Sequence, residues 1–219
     1  VALVGYTNAG KSTLFNRLTG AKVMAKDMLF ATLDPTMRSL TLPDGPDIIL
    51  SDTVGFISDL PTELVAAFRA TLEEVLAADI ILHVRDISHA ESDEQARDVQ
   101  NILTSLGVPD DTKTFEVWNK IDLLLPEAAE AVRLRAERDD AVLAVSATSG
   151  EGLDALQSIV AHALQGAVRE ADLSLSFADG KKRAWLFDQD VVVQETQSDD
   201  GFDLTVRWSA KQEAQFARL

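Results

Sequence analysis

Short apolar runs alternate along this chain with stretches in which apolar residues recur every three or four positions. Residues 1–4 form an unbroken apolar run, which is typical of a strand buried on both faces of a sheet. In residues 62–77 the apolar side chains that share one helical face are Leu64, Phe68, Leu72, Val75 and Leu76. Strands that alternate with helices predict an α/β fold, in which helices cover both faces of a mostly parallel sheet.

The same pattern assigns the other elements of the first domain. Further strands are predicted at residues 36–42, 48–50, 79–84, 114–118 and 141–145. Helices are predicted from the end of a Gly-rich loop at 5–12 to residue 18, and at 62–77, 92–106, 126–138 and 152–164. Residues 20–36 and 53–61 show no clear period and are expected to be loops.

The pattern changes near residue 166. Alternating apolar residues predict three further strands, at 173–177, 191–195 and 202–208. The residues Ser198-Asp199-Asp200-Gly201 are typical of the turn between the last two strands. Asp179 is predicted to cap a helix at 179–187, and Ser209 with Gln212 to form a capping box before a terminal helix. We therefore predict two domains, an α/β domain at 1–168 and a small α+β domain at 169–219.

Composition narrows the class of protein. The 219 residues carry a formal net charge of −16, from 20 basic and 36 acidic side chains, which opposes binding to nucleic acid and to an anionic membrane surface. The chain has no cysteine and no apolar run of the ~18 residues that a transmembrane helix needs, so we expect a cytoplasmic protein. We also expect a monomer. Val1 lies directly inside the first predicted strand, which we interpret as the start of a fragment whose upstream part is missing.

A phosphate-binding pattern, G-x-x-x-x-G-K-[ST], lies between the first strand and the first helix. Its glycines let the backbone curl so that N–H groups face the phosphates, and the helix N-terminus adds partial positive charge. Lys11 is expected to reach the β- and γ-phosphates, and the Ser12 hydroxyl to ligate Mg²⁺. The predicted nucleotide contacts here are Gly5, Tyr6, Thr7, Asn8, Ala9, Gly10, Lys11, Ser12 and Thr13.

A second motif, Asp52-Thr53-Val54-Gly55, follows the strand predicted at 48–50. A carboxylate at the end of that strand can hold Mg²⁺, usually through a water molecule. The N–H group of Gly55 can approach the γ-phosphate closely, because no side chain blocks it. The pattern is weak alone, but its distance behind the first motif makes it specific, and all four residues are predicted nucleotide contacts.

A third motif, Asn119-Lys120-Ile121-Asp122, ends another predicted strand and selects the base. The Asp122 carboxylate can accept hydrogen bonds from guanine N1–H and the exocyclic amine. Adenine lacks the N1 proton and would leave the carboxylate unpaired, which is costly in a buried site. Asn119 can bind N7 and also hold the phosphate loop, while the stem of Lys120 packs over the base.

Two further segments are assigned by their position. Ser146-Ala147, after the next strand, would offer a backbone N–H to guanine O6. The loop between the first two motifs supplies the predicted contacts Phe30, Ala31, Thr32, Leu33 and Asp34. One threonine here should complete the Mg²⁺ shell when GTP is bound, and loss of the γ-phosphate would release the loop. We choose Thr32 over Thr36, because Thr36 begins the next predicted strand. Lys11, Thr32 and Gly55 are then the predicted catalytic residues.

The motifs together resemble those of the HflX-type ribosome-associated GTPases, which belong to the translation-factor-related P-loop GTPases. The segments that carry the resemblance are G-Y-T-N-A-G-K-S-T-L-F-N, F-A-T-L-D-P-T and D-T-V-G-F-I. It implies a P-loop GTPase fold, Mg²⁺ held by Ser12 and Thr32, and hydrolysis of GTP to GDP and phosphate. It also implies a further domain at the N-terminal side, and association with the large ribosomal subunit in ribosome rescue or splitting.

Two residues depart from Ras-like GTPases. Phe56 stands where those enzymes place the glutamine that orients the attacking water, so we predict slow intrinsic hydrolysis, helped by a partner or by a water that the backbone holds. Asn8 is either a K⁺ ligand beside the β- and γ-phosphates, as in related GTPases, or a side chain that stabilises its loop.

Other functions stay open at this point. The chain could act mainly as a nucleotide-gated protein-binding module with incidental hydrolysis, or as another small bacterial GTPase of RNA or membrane metabolism. The run Lys181-Lys182-Arg183 is either a solvated helix face or a contact for RNA phosphate, although we expect no direct nucleic-acid binding from so acidic a chain. His83 lies in a predicted buried strand and is expected to be a core residue.

Overall fold

The computed structural model divides the chain into two compact units, Val1–Leu164 and Gln165–Leu219. The residues that it describes are 1–21, 36–43, 45–56, 69–109, 111–165, 168–198 and 200–219. The division lies slightly before the boundary predicted at residue 168. The first strand of the second unit begins at Val168. The domain boundary itself stays a prediction.

The first unit is built on a sheet. Its strands in the described residues are β1 (Ala2–Val4), β2 (Thr36–Thr41), β3 (Asp47–Asp52), β4 (Ile80–Asp86), β5 (Lys113–Asn119) and β6 (Val142–Ala144). They lie in the order β2-β3-β1-β4-β5-β6, and all neighbours are parallel except β2 and β3. The predicted mostly parallel sheet is confirmed.

Helices cover both faces of this sheet. Those in the described residues are α1 (Lys11–Thr19), α2 (Arg69–Leu76), α3 (Ser92–Ser105), α4 (Pro126–Ala136) and α5 (Leu153–Gln165). Leu3 of β1 packs with Phe15 in one buried cluster, while Ala2 and Val4 pack with Val99 in another. Because successive strand residues point to opposite faces, β1 is buried on both sides, as its apolar run predicted. Residues 62–68 of the helix predicted at 62–77 lie outside the described residues.

The carboxyl ends of the parallel strands meet at one edge of the sheet, where open α/β sheets bind their ligands. Gly5 follows β1, Asp52 ends β3, and Asn119 ends β5. β4 continues beyond its predicted end at residue 84 and finishes with Asp86. All three sequence motifs, together with Asp86, are therefore collected at the same edge.

The second unit is a three-stranded antiparallel sheet with helices, which confirms the predicted small α+β domain. Its elements are β7 (Val168–Ser176), α6 (Gly180–Asp188), β8 (Val192–Gln197), β9 (Gly201–Ser209) and α7 (Ala210–Phe216). The strand order is β7-β9-β8. Leu186, Leu204 and Trp208 lie in a buried cluster of its own.

One predicted cap of this unit has the predicted N-cap position without the side-chain bond, and the other is confirmed. Asp179 does not cap α6 with its side chain; its carboxylate accepts from the N–H and the hydroxyl of Ser176, at 3.1 and 2.6 Å. These two nearer donors compete successfully for the carboxylate, and Phe177, predicted at a strand end, lies in the short 3-10 turn that they stabilise. The box before α7 is present: Gln212 N–H donates to the Ser209 hydroxyl at 3.3 Å, and Ser209 N–H to the Gln212 side chain at 2.9 Å.

The basic run on α6 makes contacts inside its own unit. Arg183 donates to both carboxylate oxygens of Glu195, each at 2.7 Å. The ammonium of Lys182 lies 5.6 Å from the centre of the Phe216 ring. These contacts favour the interpretation of the run as a helix surface over that of a phosphate contact.

Candidate nucleotide-binding site

The phosphate-binding loop curls between β1 and α1, as the sequence predicted. Gly10 precedes α1 with a left-handed backbone, φ 97°, and Asn8 also has a positive φ of 61°. A Cβ atom on Gly10 would collide with the side-chain amide nitrogen of Asn119. Glycine is therefore required at residue 10, both by the backbone conformation and by the close approach of the end of β5.

Lys11 is buried at the start of α1, and its ammonium lies inside the curl of the loop. The Nζ atom donates to the carbonyl oxygens of Gly5 and Tyr6, each at 3.0 Å. Burial lowers the pKa of Lys11 to about 8, while the negative charge of Asp52 acts to raise it. The loop therefore holds a desolvated cation, and an anion placed next to it would favour its charged form.

The second motif closes against β1. Asp52 is completely buried at the end of β3. The Thr53 hydroxyl donates to the Leu3 carbonyl oxygen at 2.6 Å, and Val54 packs in the apolar core. The side chains of Thr53 and Val54 therefore hold the loop in place, and any nucleotide contact from these two residues falls to their backbone.

The end of this motif pairs with the phosphate-binding loop. Thr7 N–H donates to the Phe56 carbonyl at 2.7 Å, and Phe56 N–H donates to the Gly5 carbonyl at 3.1 Å. A Cβ atom on Gly55 would lie only 2.7 Å from the Thr7 hydroxyl oxygen, so the approach needs glycine. Phe56 is 4% exposed and packs in the same cluster as Val4. Its side chain belongs to the core and offers no group to an attacking water.

Asn119 links the two ends of the site. Its Nδ2 atom donates to the carbonyl oxygen of Ala9 in the phosphate-binding loop, at 2.9 Å. Its Oδ1 atom accepts from the N–H of Ala147, in the loop after β6, at 3.0 Å. Both bonds are buried, and Asn119 is 2% exposed. The predicted tie to the phosphate-binding loop is thus present, and the same side chain also fixes the base-side loop.

Lys120 leaves β5 with a left-handed backbone, φ 69°, and its side chain turns toward the phosphate-binding loop. Its Cε atom lies 3.9 Å from where a Cβ atom on Gly10 would stand. The ammonium donates to Asp86 Oδ2 at 2.7 Å. Sequence reasoning missed Asp86, although the rule that found Asp52, a polar residue at the carboxyl end of a buried parallel strand, also applies to it.

Asp122 lies in the short 3-10 turn Ile121–Leu123 that follows. It is exposed, and its carboxylate has no hydrogen-bond or ion-pair partner among the residues that the structure describes. Both oxygens can therefore accept hydrogen bonds from a ligand.

The loop after β6 differs in detail from the prediction. Ala147 N–H is bonded to Asn119, and Ser146 N–H donates to the Glu151 carbonyl at 2.9 Å. Neither predicted donor for guanine O6 therefore has its N–H directed at solvent. Thr148 is exposed, and its N–H has no acceptor within the described part of the chain. A ligand could therefore engage the Thr148 N–H without breaking an existing bond.

The predicted metal ligands are oxygen atoms of the kind that Mg²⁺ prefers. Ser12 and Asp52 flank Lys11, since Ser12 follows it in α1 and the charge of Asp52 acts on its ammonium. The described residues contain no group of three or more His, Cys, Asp or Glu side chains that could hold a metal. This donor set fits an ion that takes its other ligands from phosphates and water. Asn8, the candidate K⁺ ligand, is exposed on the loop.

The remaining predicted contacts are placed as follows. Phe30, Ala31, Thr32, Leu33 and Asp34 lie outside the described residues. β2 begins at Thr36, which was the reason for choosing Thr32 as the metal ligand. Ala9 is buried in the loop, and Thr13 lies half-buried in the first turn of α1.

Comparison with protein families finds two matching segments, the second of which begins inside the first compact unit. Residues 1–120 match the family described as 50S ribosome-binding GTPase, and residues 131–219 match the HflX C-terminal domain. The chain belongs to the HflX-type GTPase family. The resemblance inferred from the three motifs is thereby confirmed.

Curated HflX-type relatives align with nearly all of the chain. A protein named GTPase HflX from Magnetococcus marinus is 48% identical over 206 residues, which are 94% of this chain and 47% of the relative. The protein of the same name from Escherichia coli is 40% identical over 205 residues, 92% of this chain and 47% of the relative. The chain therefore spans about half the length of the curated relatives it matches.

Solved structures support the P-loop GTPase fold. A GTP-binding protein from the archaeon Sulfolobus solfataricus, in complex with GDP, is 28% identical with a TM-score of 0.57, matched over 74% of this chain and 51% of that chain. Era from Aquifex aeolicus, bound to GDP and AlF4⁻, has a TM-score of 0.59 at 23% identity, over 74% of this chain and 55% of its own, and shows the fold alone. Among the helices that the structure describes, none has the length and apolar character to span a bilayer.

Proposed function

We propose that this HflX-type chain binds GTP and hydrolyses it to GDP and phosphate. The observation that carries the proposal is the pair of buried bonds from Asn119, which tie the phosphate-binding loop to the base-side loop next to the exposed carboxylate of Asp122. The two ends of the pocket are thereby held at one separation before a ligand arrives. Such preorganisation reduces the cost of binding an entire nucleotide.

At the base end, the Asp122 carboxylate would accept from guanine N1–H and the exocyclic amine. Adenine offers no proton at N1, so it would leave one acceptor without a donor. The Thr148 N–H, rather than that of Ala147, is the proposed donor to guanine O6. Selection of guanine would then depend on one side chain and one backbone amide.

At the phosphate end, the loop amides and the ammonium of Lys11 would bind the β- and γ-phosphates. Lys11 offsets negative charge that develops as water attacks the γ-phosphate, and Gly55 N–H binds the same group. Bound Mg²⁺, held by Ser12, Thr32 and a water on Asp52, would neutralise further phosphate charge. The roles of these residues, and that of Thr32 in particular, are proposals.

Intrinsic turnover should be slow, because the buried Phe56 cannot orient the attacking water. A partner, or a water held by the backbone, would supply that function. Asn8 as a K⁺ ligand would provide charge beside the phosphates, and a comparison of turnover in KCl and NaCl tests this role. Equal rates in the two salts would remove it.

We infer that the partner is the large ribosomal subunit, with a role in ribosome rescue or splitting. The support is the description of the matching family as 50S ribosome-binding. The buried Phe56 favours a second candidate, a nucleotide-gated binding module in which hydrolysis is incidental. A cytoplasmic location and a monomeric state stay predictions.

The deciding experiment measures GTP hydrolysis with and without purified large ribosomal subunits, beside Lys11→Ala as the control for contaminating activity. We expect turnover well below about 1 s⁻¹ for the chain alone, a clear increase with subunits, and none for Lys11→Ala. GTP-dependent binding to subunits without faster hydrolysis would favour the binding module. If the chain showed no hydrolysis and no GTP-dependent binding to subunits, both candidate functions would be contradicted.

A further inference from the structure

Asp86 occupies a place in the site that none of the three motifs covers. It ends β4 directly opposite Asn119 of β5, in the parallel register of the two strands. Its Oδ2 atom accepts the ammonium of Lys120 at 2.7 Å. The carboxylate therefore joins the strand that precedes α3 to the base-reading motif.

The other oxygen of this carboxylate is fixed separately. Asp86 Oδ1 accepts from the backbone N–H of Ser88 at 3.0 Å and from its hydroxyl at 2.6 Å. Burial acts to raise the pKa of Asp86, but the hydrogen bonds from Lys120 and Ser88 outweigh it, so the pKa is lowered. Asp86 is therefore an ionised group with both oxygens used and its orientation determined.

This arrangement restrains a side chain that is ordinarily mobile. Ordering a lysine side chain costs up to about 2 kcal/mol in rotamer freedom. A fixed direction of its stem therefore requires an interaction that offsets this cost. Here the side chains of Lys120 and Asp86 are 27% and 14% exposed, which makes the pair more enclosed than a surface ion pair. The stem of Lys120 is consequently drawn along the edge of the phosphate-binding loop, near Gly10.

We propose that Asp86, oriented by Ser88, is a positioning residue that holds the stem of Lys120 as a wall of the purine slot. The inference rests on the proposed function, because it needs the base to lie between Lys120 and Asp122. Asp86 touches no part of the nucleotide itself and acts through Lys120. It should therefore affect how tightly a purine is held, but not which purine is chosen.

The test is a double-mutant cycle on GDP affinity, measured by calorimetry with the whole chain. Asp86→Asn keeps the size of the side chain and removes the charge, and Lys120→Met keeps an apolar stem and removes the ammonium. We expect Asp86→Asn to weaken GDP binding about tenfold, with the ratio of GDP to XDP affinity unchanged. In the Lys120→Met background, Asp86→Asn should weaken GDP binding by less than about a further twofold.

Two controls separate positioning from a general loss of structure. Asp93→Asn removes a carboxylate that pairs with Arg85 on the neighbouring element and is 80% exposed, and it should leave GDP affinity unchanged. Ser88→Ala removes one hydrogen bond to Asp86, and we expect GDP affinity to fall about threefold. This loss should also disappear in the Lys120→Met background. This milder variant keeps the test valid if Asp86→Asn folds poorly.

Each result has one interpretation. The proposal would be overturned if the losses of GDP affinity in Asp86→Asn and Lys120→Met multiplied in the double variant. Unchanged GDP affinity in Asp86→Asn would overturn it as well. Failure of the unaltered chain to bind GDP would instead overturn the proposed function. The two failures are read from different titrations and cannot be confused.

Discussion

Replacement of Asn119 by alanine tests the link between the two ends of the site. The change leaves the Ala9 carbonyl and the Ala147 N–H without their buried partner. An unsatisfied buried polar group costs about 1–3 kcal/mol, so the free energy of unfolding should fall by about 2–6 kcal/mol. Urea unfolding without nucleotide measures this loss directly. GDP affinity of the folded variant should also fall, because the two loops are no longer held at one separation.

The matched control is Asn101→Ala, which removes an exposed asparagine from α3. A surface change of this kind should alter the free energy of unfolding by less than about 0.5 kcal/mol. A loss below about 1 kcal/mol for Asn119→Ala would refute the reasoning, since it would mean that neither bond contributes. Unchanged GDP affinity in a variant of lowered stability would refute the functional part alone.

Three further perturbations follow from the same contacts. Burial lowers the pKa of His83 to about 4, so the folded state resists protonation of this side chain. In the unfolded chain the pKa is 6.5, so the free energy of unfolding should fall as the pH drops below that value. The expected loss is about 2 kcal/mol near pH ~5. The charged groups that act on it are Glu116, which raises the pKa, and Arg85 and Lys11, which lower it. Urea titrations at several pH values should therefore show a flatter profile for His83→Gln. Gly55→Ala would place a Cβ atom 2.7 Å from the Thr7 hydroxyl oxygen, so we expect GTP turnover to fall about tenfold or more while GDP affinity changes less than about threefold. Phe56→Gln puts an amide into the apolar core and should cost about 3 kcal/mol of stability in urea without faster hydrolysis.

Each of these has an outcome that contradicts it. Stability of the unaltered chain that stays constant between about pH 7 and 5 would show that His83 is not a buried neutral group. Full turnover in Gly55→Ala would show that the close approach to Thr7 has no part in hydrolysis. Faster hydrolysis in Phe56→Gln would place that side chain in the site rather than in the core. Leu82→Ala, a core change in the other buried cluster of the first unit, is the stability control for the last variant.

The pattern of apolar residues predicted the sheet because a strand that is buried on both faces is apolar at every position. β1 has no polar residue, and its side chains enter two separate cores. His83 was expected in the core on the same ground, and it is 5% exposed in β4. The motifs could be placed at the strand ends because parallel strands bring their carboxyl ends to one edge.

Hydrogen-bond partners could not be predicted in the same way, because they depend on which groups tertiary packing brings together. The pattern D-x-x-G does not show that Thr53 bonds to Leu3, and the pair Ser146-Ala147 does not show that its amides are already engaged. Asp86 and Asp52 both lay two residues beyond the end of their predicted strands, but only Asp52 belongs to a recognised motif, so the place of Asp86 at the sheet edge was not predicted.

The central claim, that Asp122 reads guanine at one end of a phosphate-binding pocket, is tested most directly by calorimetry of Asp122→Asn with GDP and XDP. Xanthine carries a carbonyl where guanine carries the amine, so an asparagine amide can donate to it where a carboxylate cannot. We predict that the unaltered chain prefers GDP over both XDP and ADP, and that the variant prefers XDP. A variant that keeps the preference for GDP would contradict the claim.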